Sequence, residues 1–137
     1  MSSSRRESAG AGARTNIERD VIVSGEAMAI VEKLERLIDY LYPILQNVPR
    51  KHGVARDTAL QALFGQVELL IAAGKSKQAS RLYSADANLA YLRFWLRFMA
   101  ADGRRLITPQ QHRVAAIHLA EIGRMLGGWI KAMKRGG

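Results

Sequence analysis

The chain predicts an all-α fold, a four-helix-bundle protomer, on three observations. Four segments of its 137 residues repeat apolar side chains every three or four positions. The connections between them are short and carry Pro, Gly and N-cap residues. No segment alternates polar and apolar residues strictly enough to form a strand. Antiparallel helices joined by short loops pack as a bundle, and a chain that is 48% hydrophobic is large enough for one core.

Residues 1–22 begin rich in Ser, Arg, Gly and Ala and read as a disordered basic tail, with the folded domain over 23–137. The run Val21-Ile22-Val23 makes that boundary a soft one. The first helix starts at an N-cap, Ser24, and runs to about Gln46, with Ala27, Ile30, Val31, Leu34, Leu37, Ile38, Leu41 and Leu45 inward. Pro43 should kink or end it. A basic connector, Val48 to Gly53, leads to a second helix capped by Asp57. Its stripe is Leu60, Leu63, Phe64, Val67, Leu70 and Ile71, and Gly74 is placed to stop it in the left-handed conformation. The third helix spans Gln78 to Ala101. The fourth opens at Thr108-Pro109, an N-cap followed by proline at the first helical position, and reaches about Lys134.

The third helix says more than its class. At about 100° per residue its apolar side chains, Phe94, Trp95, Phe98 and Tyr91 among them, cover roughly 220° of the circumference, where about 100° serves a monomer. That surplus predicts a second buried contact, hence self-association. The remaining arc holds Asp86, Ala90, Arg93 and Arg97, joined by Arg104. Arg93 and Arg97 stack one turn apart with no acidic residue three or four positions away. The pattern admits two readings, a solvated edge or guanidinium groups free for phosphate, with the bordering aromatics able to stack on bases.

The net charge of +9 and a pI near 10.5 do not help a fold and point to a polyanion partner. Arg50 and Lys51, then Lys75, Lys77 and Arg81, then Lys131, Lys134 and Arg135 cluster at the loops and the C-terminus. Singly each fits a solubilising charge, and the last group suits the negative end of a helix dipole. With no cysteine, there is neither a disulfide nor a thiolate metal site. No secretory signal and no run of ~18 apolar residues are present, so a cytoplasmic protein without a membrane partner is expected.

The chemistry of an enzyme is missing. A di-iron bundle needs two Glu-x-x-His units, whereas His118 and Glu121 stand in the reverse order. His118 lies on an apolar face and reads as a core or interfacial histidine. Gly74-Lys75-Ser76 resembles the end of a phosphate loop, but it closes a helix instead of opening one. Glu68 and Asp86 are expected to bond an arginine. No nucleophile with a base, no dinucleotide fingerprint and no cofactor site is found.

The wording of the chain adds a resemblance. Leu41-Tyr42-Pro43, Pro49 to Arg56, Gly65 to Leu69, Ala73 to Ser76, Leu82-Tyr83, Ala85 to Ala90 and Leu92 to Phe98 together resemble the Avd family, the accessory variability determinants of diversity-generating retroelements. The resemblance covers roughly residues 24–135. It implies a bundle protomer assembled into a basic pentameric barrel, with a reverse transcriptase and template RNA and DNA as partners. It places a nucleic-acid role on Arg93 and Arg97. A non-catalytic accessory protein of mutagenic copying is therefore the expectation. The residues also admit a generic RNA-binding bundle of the ribosomal intervening-sequence type, or a scaffold for an acidic protein.

Overall fold

The computed structural model describes residues 25–136. Four helices follow in order: α1 Gly25–Gln46, α2 Gly53–Ser76, α3 Ala79–Ala100 and α4 Pro109–Gly136, with a 3-10 turn at Arg50–His52 before α2. Each helix packs on two others, α1 on α2 and α4, α3 on α2 and α4. The order of contacts makes the bundle up-down-up-down. Asn88 meets Ala62 while Ala85 meets Gln66, so α2 and α3 run antiparallel. Arg93 meets Leu119 while Leu89 lies beside Gly123, which sets α3 against α4 in the same way. The all-α expectation is met, and among the described residues no strand occurs.

The interior is mostly leucine. Leu34, Leu37, Leu41 and Leu45 of α1 meet Leu63 and Leu70, Leu89, Leu92 and Leu96, and Leu119 and Leu126, nearly all fully buried. Each such side chain is worth about 1.5–3 kcal/mol relative to exposure. The α2–α3 contact is the most extensive, because Ala59, Ala62, Ala73 and Ala85 are buried along it and let the backbones approach.

Several boundaries differ from the expectation. α1 does end at Gln46 as expected, with Pro43 inside its last turn and not at its end. α2 starts at Gly53 and not at Asp57, since Pro49 opens a 3-10 turn, closed by the His52 N–H on the Pro49 carbonyl at 2.9 Å, that runs directly into the helix. Asp57 instead accepts a hydrogen bond from Arg56. Gly74 does not end α2: it is buried inside the last turn, and Lys77 takes the left-handed conformation at φ 58°, with its N–H on the Ala73 carbonyl. At the other loop Thr108 caps α4 as expected. Its Oγ1 accepts the Gln111 N–H at 3.0 Å, and Gln111 Oε1 accepts the Thr108 N–H at 2.9 Å, a reciprocal capping box.

Phe64 is the main reversal in the core. It stands exposed against the Tyr42 ring, 5.8 Å between centroids. α2 has turned so that Gln66, fully buried, takes an inward position. The wide apolar arc of α3 is met partly within the chain, since Trp95 and Phe98 pack against the core. Tyr91 and Phe94 stay out. Ser24 and residues 1–22 lie outside the described residues.

Candidate nucleic-acid interface

The charge of the chain belongs to the bundle. Residues 25–136 hold 17 basic and 9 acidic side chains, an excess of eight out of the nine. It is unevenly spread. α1 carries Glu26, Glu32, Glu35 and Asp39 against Lys33 and Arg36, whereas α4 carries five cations against Glu121. A depression of about 660 Å³ lies on that α1 face, lined by Glu32, Glu35 and Asp39 against Arg36, an acidic excess that disfavours phosphate.

A second depression, about 400 Å³, runs between α3 and α4 and has the opposite character. Arg93, Arg97 and His112 stand around a floor of Leu96, Ala116 and Leu119. Arg93 is half-buried and donates from Nη2 to the Leu119 carbonyl at 3.0 Å. Gly123 makes this possible: a Cβ there would lie 2.5 Å from that same nitrogen. One N–H of the fork is therefore fixed on protein, leaving others of its five donors to face outward. Arg97, one turn on, is exposed and has no carboxylate partner among the described residues.

Arg104 belongs to the same end of α3. Its Nε donates to the Phe98 carbonyl at 2.7 Å and its guanidinium lies 3.8 Å from the Phe98 ring centroid. It thus satisfies an orphan carbonyl of the helix C-terminus while stacking on an aromatic face. Nearby, Arg105 pairs with Asp102 at 3.4 Å and Arg113 bonds Gln110.

The remaining predicted cations divide between the two ends of the bundle. Arg50 and Lys51 lie in the exposed 3-10 turn, at the end that also carries the α3–α4 connection with Arg104. Lys75, Lys77 and Arg81 lie at the opposite end, where α4 finishes with Lys131, Lys134 and Arg135. Lys134 ties those two groups together, its Nζ 5.6 Å from the Tyr83 ring centroid. Hydrogen bonding to Tyr83 raises its pKa above the usual lysine value. The eight predicted residues therefore form no single patch.

Sequence reasoning missed His112 and Gly123, whose parts depend on which helix faces α3. Glu68 and Asp86 correct another expectation: both are exposed, and neither bonds an arginine among the described residues. His118 lies as expected against a neighbouring helix, its ring 6.4 Å from that of Tyr40. Beside it Glu121 bonds Lys33 of α1 at 3.1 Å, and this bond, with Arg124 and His118 adding, holds its carboxyl below the usual range.

A family model described as bAvd-like matches residues 28–133, from the first turn of α1 to the last turns of α4. The chain belongs to the bAvd-like family. It is thereby an Avd-type protein of diversity-generating retroelements, as the resemblance implied. A search of curated proteins found no match. Family membership spans all four helices, and with them both the α3–α4 groove and the basic ends. No helix among the described residues is long and apolar enough to cross a membrane.

Proposed function

We propose that this chain is a non-catalytic accessory protein that binds template RNA and DNA and a reverse transcriptase during mutagenic copying in a diversity-generating retroelement. The observation that carries the nucleic-acid part is the α3–α4 groove, where two guanidinium groups and an imidazole stand together without a carboxylate. Buried or shared acids would neutralise such a cluster in a purely structural role. Its bareness suits phosphate, which arginine forks bind bidentately. The contact is electrostatic and weak in sequence preference, because phosphate contacts position a protein without reading bases.

The partner polymerase and assembly as a homopentamer belong to the same proposal, supported by membership of the bAvd-like family. Exposed apolar side chains on α1 and α2, namely Tyr42, Phe64 and Val54, offer surface for contact between copies on the side away from the groove.

The test is fluorescence anisotropy of a structured RNA at several salt concentrations, with the Arg93→Ala/Arg97→Ala variant alongside. Log affinity should fall linearly with log salt, by about 0.7–0.9 per phosphate neutralised, and less steeply in the variant. No binding at moderate salt defeats the reading and returns the basic surface to an acidic protein partner. Co-elution with the reverse transcriptase of the same retroelement tests the second partner.

A further inference from the structure

Beside the arginine groove, on the other flank of α3, runs a row of aromatic rings. Asn88 reaches Ala62 and Gln66 of α2, which fixes that flank as the α2 side. Tyr91 and Trp95, three and seven residues on, share it. Trp95 is half-buried and serves as a keel. Tyr91 stands edge-on to it with centroids 6.2 Å apart, and Phe94 and Phe98 lie 5.3 Å from it. Tyr91 and Phe94 are each 48% exposed although their neighbours hold them. Phe94 forms the crest between this row and the groove of Arg93 and Arg97.

We propose that this face of α3 is a stacking platform for single-stranded nucleic acid, with bases on Tyr91 and Phe94 and phosphates on Arg93 and Arg97. The inference rests on the nucleic-acid reading above and adds to it the strandedness of the ligand. In a duplex the base faces are hidden against one another, and only an unpaired strand offers them to a ring. By helical rise Tyr91 and Phe94 lie about 4.5 Å apart along the axis, and Arg93 and Arg97 about 6 Å. Those intervals are of the same order as the ~3.4 Å repeat of a nucleic-acid strand, lengthened when bases splay. Charge also selects the occupant. Arg93 and Arg97 stand beside the rings and Asp86 is the sole acid on the helix, so a polyanion is attracted to this face where an uncharged apolar partner is not.

The experiment compares the full chain with a Tyr91→Leu/Phe94→Leu variant, which keeps apolar bulk and removes the aromatic faces. The probes are a labelled oligouridylate of about 12 nucleotides, within the span of single-strand sites, and an RNA duplex of the same length at the same salt. The wild type should prefer the single strand. The variant should lose at least about fivefold on the single strand and keep its duplex affinity. Equal affinity of the wild type for both probes overturns the proposal, as does an equal loss on both in a variant of unchanged helicity. A fall in oligomer size by light scattering with single-strand preference intact would give the face to a second copy instead. Failure to bind either probe defeats the nucleic-acid reading itself, and this inference with it.

Discussion

Asn88 of α3 and Gln66 of α2 are joined side chain to side chain, the Asn88 Nδ2 donating to Gln66 Oε1 at 2.7 Å. Each also bonds the other's helix: Asn88 donates to the Ala62 carbonyl at 2.9 Å and Gln66 to the Ala85 carbonyl at 3.0 Å. Gln66 is fully buried. The pair therefore fixes one register between two helices whose small contact residues would otherwise tolerate sliding, and it positions the aromatic and arginine flanks of α3.

Removing half of this pair should cost more than removing both. Asn88→Leu strands the Gln66 carbonyl oxygen and should destabilise the fold by about 1–3 kcal/mol. Gln66→Leu/Asn88→Leu should recover part of that loss. Urea denaturation of the two single variants and the double variant measures the coupling, and strict additivity would refute it.

Gly123→Ala separates stability from binding. The new Cβ displaces the Arg93 guanidinium from the Leu119 carbonyl, while alanine gains up to about 1 kcal/mol of helix propensity. Thermal stability should stay close to that of the wild type while RNA affinity falls. Adding Arg93→Ala to Gly123→Ala should then lower affinity by less than it does in the wild type. An additive loss would mean that the guanidinium does not act from its seat by Gly123.

Thr108→Ala should cost about 0.5–2 kcal/mol, since it removes the acceptor for the Gln111 N–H at the start of the longest helix. Thermal denaturation with Thr108→Ser as the control measures it. Serine keeps the oxygen and should behave nearly as the wild type.

The Lys33–Glu121 bond makes a pH-dependent link between α1 and α4. Because the folded carboxyl titrates below its unfolded value, the link contributes at pH above the ordinary carboxylate range and is lost as pH falls through the lowered folded pKa. In Lys33→Met the Glu121 titration, followed by NMR, should move back toward the ordinary glutamate value. An unmoved titration would leave Arg124 and His118 as the cause.

Much of this was legible in the chain. The leucine repeat of α1 placed its buried face correctly, and Thr108-Pro109 fixed the start of α4, since both are local signals written within one or two turns. The stop of α2 falls beyond Gly74, which is buried within the last turn, because the left-handed position is taken by Lys77, a residue whose type does not signal a stop. The apolar repeat of α2 places Phe64 inward, whereas the inward place is taken by Gln66, whose amide bonds α3.

The sequence by itself therefore determined that four helices form, that the bundle carries a large cationic excess, and that Arg93 and Arg97 share a face. The tertiary structure alone decided that Arg93 is anchored on Leu119 beside Gly123, that His112 joins the groove, and that Lys134 meets Tyr83. The physical reason is the range of the interactions. A helical period ranks positions around one axis, but the partner each face meets comes from residues some 26 to 51 positions away, brought near only when the helices pack.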